Sequence, residues 1–174
     1  MDDIVQHEEL PSFAIFRGKN GISYAEAPVM YAEGVSPVMA EHWPRLQEAG
    51  YDAGHNVRLI FSAPGFSLTH VWFKSGFPLP RHSHSADCLY YIVAGTLQIG
   101  TEILGAGDGF FLGVDAPYTY TPGENGVEVL EFRTSNHFNI RMLADNPAFW
   151  SKAIEQVKSR STAWETEPPP VAGA

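Results

Sequence analysis

Two histidines spaced two residues apart are the first residues in this chain whose types and spacing point to chemistry. They are His82 and His84, in the segment Arg-His-Ser-His-Ser. In an extended strand their side chains point to the same face, roughly 6–7 Å apart along the backbone. Both rings can then turn toward one ion, since imidazole is a ligand of iron, zinc, nickel and copper. We predict that His82 and His84 bind a divalent transition metal; the alternative is two polar residues on an exposed strand face.

Cys88 follows His84 by four positions and shares its parity in a regular strand. A thiolate at this position is a soft metal ligand, whereas a buried cysteine can also pack as a small hydrophobe. Asp87 points the other way unless a local bulge turns its carboxylate inward. We therefore predict a cofactor contact for Cys88 and a catalytic role for Asp87, with packing as the alternative for the cysteine.

Tyrosines supply the next candidates. Tyr118 and Tyr120 alternate onto one face of their segment, as Tyr90 and Ile92 do on theirs. A phenolic hydroxyl can ligate a metal, donate a proton or hydrogen-bond a substrate. We predict catalytic roles for Tyr118 and Tyr120 and a cofactor contact for Tyr90. The alternative is ordinary aromatic filling of a barrel interior.

His70 is the last candidate, one strand before the histidine pair. It shares a face with Trp72 and Lys74. If that face is the interior, His70 completes a three-histidine site and contacts the cofactor. If that face is the exterior, it is a half-exposed strand histidine.

Short β-strands are the elements that must carry these residues. From Val57 onward the chain consists of short β-rich runs, separated by Gly, Pro, Asn and Asp about every ten residues. This spacing is typical of sandwiches and barrels. Asn125-Gly126 predicts a tight hairpin before the last strand. We expect a β-barrel core over residues 57–134.

Helical signals flank this core on both sides. Ser36-Pro37 predicts a capped helix that ends near Gly50, and Pro44 predicts that it splits into two short helical turns. Asn146-Pro147 opens a second pattern with one apolar face. We assign residues 1–56 to an arm with short helices, residues 135–164 to an extension with a C-terminal helix, and residues 165–174 to a loose tail, within a single domain.

The histidine segment resembles the first motif of the cupin superfamily. Gly76, His82, His84 and Gly95 stand at the spacing of that motif, and Cys88 takes the place of its glutamate. The resemblance covers about residues 57 to 133.

The second cupin motif has a weaker counterpart that starts at Gly107-Asp108. Gly113 and Asp115 replace its proline and one glycine, and Tyr118 takes the position of the last ligand histidine. Two of the four usual ligand positions are therefore changed.

The resemblance implies an all-β fold, the cupin-type double-stranded β-helix or jelly-roll barrel. It further implies a metal-dependent enzyme that acts on a small organic molecule inside the barrel, by oxygenase, lyase or isomerase chemistry. The metal would be iron, zinc, nickel, manganese or copper. It also implies a homodimer. The alternative function is a non-catalytic cupin that binds a small ligand and has lost its metal.

Composition excludes several other classes. The 174 residues carry a formal net charge of -9, which disfavours binding to a phosphate backbone, so we predict no nucleic-acid partner. We also predict no membrane partner, since no apolar run approaches the ~20 residues that cross a bilayer. The acidic N-terminus lacks the pattern of a secretory signal, and a single cysteine excludes an internal disulfide. We expect a cytoplasmic protein.

Overall fold

The computed structural model describes residues 5–27 and 29–170, and strands make up most of the regular structure in these ranges. In chain order the strands are β1 (Met30–Ala32), β2 (His55–Ala63), β3 (Phe66–Phe73), β4 (His82–Ser83), β5 (Cys88–Ile99), β6 (Glu102–Gly105), β7 (Gly109–Leu112), β8 (Thr121–Arg133) and β9 (Phe138–Met142). The helices are α1 (Pro37–Glu48) and α2 (Pro147–Trp164), with short 3-10 turns at Gly18–Asn20 and Tyr51–Gly54. Residues 1–4 of the predicted arm and 171–174 of the predicted tail lie outside the described residues.

The described strands form two sheets. The larger sheet has the order β2-β3-β8-β5-β6, with β7 also paired to β5, and its pairs are antiparallel. The smaller sheet has the order β1-β9-β4, in which β1 and β9 run parallel. Its strands β1 and β9 come from the segments before and after residues 57–134. Two sheets with flanking helices confirm the predicted all-β fold.

Side chains on β5 alternate between the interior and the solvent. Cys88, Tyr90 and Ile92 are buried, whereas the side chains between them, Leu89 and Tyr91, are about half exposed at 53% and 51%. This alternation is the period-two pattern of a strand with one face on a core. It determines which residues of β5 can reach the inside of the barrel.

Helix α1 begins where the sequence predicts but is not interrupted. The Ser36 hydroxyl accepts a hydrogen bond from the Met39 amide at 3.1 Å, as an N-cap does. The predicted break at Pro44 is wrong, because α1 continues through it to Glu48. Pro44 removes one backbone donor and its ring crowds the Ala40 carbonyl, but burial of Leu46 on the next turn holds the helix against the core.

Helix α2 covers the core with the face that the sequence predicts. The Asn146 side chain accepts a hydrogen bond from the Ala148 amide at 2.9 Å and caps the helix. Trp150, Val157 and Trp164 are fully buried beneath it. In the part of the chain that the structure describes, neither helix has the length and apolarity needed to span a bilayer.

Gly95 and Gly126 mark a close approach between β5 and β8. Both have φ of +74°, in the left-handed region that favours glycine. A Cβ at Gly95 would overlap the carbonyl oxygen of Gly126. The tight hairpin predicted at Asn125-Gly126 is therefore wrong, because these residues form an irregular stretch inside β8, where the pairing with β5 shifts register.

We expect Gly95→Ala to lower the free energy of unfolding by about 3 kcal/mol, because the new methyl group adds overlap to left-handed strain. Gly100→Ala is the matched control: its φ is +59°, but nothing lies within 4 Å of the added carbon. It should cost only about 1 kcal/mol. Urea unfolding of both variants measures the difference, and equal costs would contradict the close approach.

Candidate active site

His82 and His84 lie side by side in the interior. They are 4% and 6% exposed, and their ring centroids are 4.9 Å apart at an interplanar angle of 78°. His82 is held from two sides, since β4 pairs with β9 and its backbone also bridges to Tyr118. The two rings therefore share one face of the chain, as the two-residue spacing predicts.

The Nδ1 atom of each ring is tied to a backbone carbonyl. His82 Nδ1 lies 2.7 Å from the Pro80 oxygen, and His84 Nδ1 lies 2.7 Å from the Asn139 oxygen. Because a carbonyl can only accept, Nδ1 is the protonated nitrogen in each neutral ring and Nε2 carries the lone pair. This anchoring is how proteins orient histidines that ligate metals.

Both rings are held in the neutral form. Burial lowers the pKa of His82 below its usual value. Burial, together with the positive charge of Arg133, lowers the pKa of His84 to about 3. At neutral pH both Nε2 atoms are therefore free of protons, the state that a metal or a hydrogen-bond donor requires.

A series of hydrogen bonds connects His82 to Arg133 through two tyrosine hydroxyls. Tyr118 Oη lies 2.9 Å from His82 Nε2 and donates to it, since that nitrogen has no proton. Tyr118 can then accept from Tyr90 Oη, 2.7 Å away. Arg133 Nη2 donates to Tyr90 Oη over a longer distance of 3.4 Å. The contact between His82 Nδ1 and the Pro80 carbonyl therefore decides which hydroxyl donates and which accepts in these hydrogen bonds.

A buried ion pair lies at the other end of this series. Arg133 Nη1 is 2.5 Å from Glu131 Oε2, and the two residues are 2% and 7% exposed. Neither residue was predicted from the sequence to be a site residue. The alternation on β8 could have identified them as inward-facing, because Glu131 and Arg133 have the parity of the buried Val127 and Val129. Charged residues at the inward positions of a strand mark a site more often than a solvated face.

Apart from Tyr90, these groups line one cavity of about 550 Å³. This volume is typical of a pocket for a small organic ligand. Its polar lining includes both histidines, Tyr118, Tyr120 and the ion pair. Much of the rest is aromatic or aliphatic, with Tyr24, Trp43, Tyr51, Val71 and Phe73 among the lining residues. Tyr120 is buried, and its hydroxyl has no hydrogen-bond partner among the described residues.

The other predicted site residues do not line this cavity. Asp87 accepts a hydrogen bond at 2.9 Å from the Val114 amide, in the loop after β7. Cys88 is buried with the parity of Tyr90, and burial raises the pKa of its thiol to about 12, so it remains protonated. His70 is on the outer face of β3, with Nε2 3.3 Å from the Glu128 carboxylate.

Several solved structures are similar to parts of this chain. The polyketide cyclase RemF from Streptomyces resistomycificus matches with a TM-score of 0.50 and 18% identity, over 57% of this chain and 79% of the cyclase. An RmlC-like cupin from Shewanella frigidimarina matches over 74% of this chain and 94% of that protein, with 14% identity and a TM-score of 0.47. KdgF from Halomonas sp. matches over 47% and 79%, with 22% identity and a TM-score of 0.42. No family model and no curated protein sequence matches the chain.

We expect the fold to lose stability as the pH falls below about 6.5. The unfolded chain protonates His84 near its usual pKa of 6.5, but the folded chain does so only near 3. The unfolded state therefore binds more protons in this window, which costs the folded state about 2 kcal/mol between pH 7 and pH 5. His84→Gln cannot take up this proton and should flatten the decrease in urea unfolding curves. An unchanged decrease in the variant would contradict the assignment to His84.

Proposed function

We propose that this chain, whose cupin-type fold is similar to that of the cyclase RemF, is a metal-dependent enzyme that acts on a small organic molecule inside its barrel. One observation carries the proposal: two neutral imidazoles, each anchored through Nδ1, share one buried cavity. The reaction belongs to the oxygenase, lyase or isomerase classes, and the fold alone does not choose among them.

The donor set fits a transition metal with open coordination positions. His82 and His84 would hold the ion through Nε2, and Tyr118 Oη lies next to the first of these atoms. No group of three or more His, Cys, Asp or Glu side chains is placed to hold a metal in the described ranges, so substrate and solvent would supply other ligands. When bound, the ion supplies Lewis acidity or a site for dioxygen.

Tyr118 is the residue we propose as the proton donor to the substrate. Burial raises the pKa of its hydroxyl well above the usual value, so the proton stays on Oη at neutral pH. Tyr90 holds the ring in place through its own hydroxyl, 2.7 Å away. Tyr120, with a hydroxyl that has no described partner, is the second donor we propose in the same cavity.

A non-catalytic cupin that binds a small ligand is the second candidate. The observation that favours it is the hydrogen bond from Tyr118 to His82 Nε2, which occupies one of the two lone pairs that a metal needs. The aromatic and aliphatic lining would then bind the ligand by burial of apolar surface.

Homodimer formation and a cytoplasmic location stay predictions in this proposal. Exposed aromatic side chains in the N-terminal segment, Phe13 at 77% and Phe16 at 44%, support a contact with a second copy.

We expect the protein purified without chelator to carry stoichiometric metal, and the double variant His82→Ala/His84→Ala to carry none. Elemental analysis by mass spectrometry measures both. His70→Ala is the matched control, because this histidine lies on the outer face of β3 and should leave the metal content unchanged.

Absence of metal from the parent protein would contradict the metal-dependent proposal. If that protein then binds an apolar ligand tightly, the ligand-binding alternative is supported. Equal metal in the parent and the double variant would place the ion elsewhere and would remove His82 and His84 from the proposed site.

A further inference from the structure

Arg133 has donors that no described residue uses. Its guanidinium carries five N–H groups. Nη1 contacts Glu131 at 2.5 Å, Nη2 reaches Tyr90 only at 3.4 Å, and Nε has no partner among the described residues. A buried donor without a partner is destabilising, so such a position in a native protein calls for an explanation, and a bound ligand is one.

Arg133 is one of the residues that line the cavity. It is 2% exposed, and the same cavity holds both histidines. Phe138 covers its guanidinium at 4.5 Å from the ring centroid. Nε and Nη2 point in parallel from one edge of the planar group, the geometry that matches the two oxygens of a carboxylate.

We propose that the cavity binds a small organic acid, with the carboxylate of the ligand on the Nε–Nη2 edge of Arg133. The inference rests on the proposed function in one respect, because it takes the same cavity as the substrate site. The aromatic and aliphatic lining holds the apolar body of the acid.

Charge in the cavity favours a single negative charge on the ligand. Glu131 already offsets part of the Arg133 charge through its ion pair. A phosphate monoester would bring nearly two negative charges to the Arg133 guanidinium, whose single positive charge Glu131 already offsets in part. Asp52, at the rim, has a side chain that is 79% exposed and opposes multiply charged ligands at the entrance.

The test compares an acid with its neutral amide. Naphthoate and naphthamide have nearly the same size and shape, and calorimetric titration measures the affinity of each for protein freed of metal by a chelator. We expect naphthoate to bind at least about ten-fold more tightly, as a charge-assisted pair in a buried site should. Equal affinities, or no binding of naphthoate at millimolar concentration, would overturn the proposal.

Two variants locate the preference at Arg133. Glu131→Gln/Arg133→Met removes both charges together, so that neither is left unpaired in the interior. Arg133→Lys keeps the positive charge but loses the two parallel N–H donors of the guanidinium. We expect both variants to bind naphthamide like the parent and to lose most of the preference for the acid.

Preference for naphthoate that persists in Arg133→Lys, or in the double variant, would overturn the proposal. The control His70→Gln/Glu128→Gln removes the ion pair on the outer face and should keep the preference. The titrations use protein without metal, so they test acid binding independently of metal binding. A negative titration would not contradict metal binding by the parent protein. A parent protein without metal would not contradict the preference for the acid.

Discussion

Hydrogen bonds from two histidine rings to backbone carbonyls set the chemistry of the cavity. The oxygens of Pro80 and Asn139 can only accept, so each ring keeps its proton on Nδ1. Burial then keeps both rings uncharged at neutral pH. Two neutral imidazoles can ligate a metal or accept protons through Nε2, and two imidazolium ions can do neither.

The polar interior is stable because most of its groups satisfy one another. An isolated guanidinium in the core would be costly, and Glu131 compensates much of its charge. Tyr90 and Tyr118 extend the contacts of Arg133 to His82, so cation, phenols and imidazole form one network. The network is incomplete at Arg133 Nε and Tyr120 Oη, both on residues that line the cavity. An incomplete network is less stable than a closed one, and a bound ligand with suitable acceptors would complete it.

Local patterns in the sequence indicated which residues share a face of their segment. Two-residue alternation paired His82 with His84 and Tyr118 with Tyr120, and the tertiary structure places all four in the lining of one cavity. Helix α2 and the N-cap of α1 were equally visible, because capping and apolar periodicity depend on near neighbours. The same reasoning was wrong at Pro44, where packing of the next turn against the core outweighs the propensity of one residue.

The sequence by itself determined which residues share a face of each strand, because alternation is a property of the extended backbone alone. Only the tertiary structure decided which face is inside. His70 and Arg133 illustrate the difference: both lie on alternating strands, yet one faces outward and the other lines the cavity. That choice depends on the register between β3, β8 and β5, which brings residues more than forty positions apart, such as Tyr90 and Arg133, into contact. A one-residue slip of a strand exchanges its two faces, so the inward set is fixed only when the strands pair over their common core.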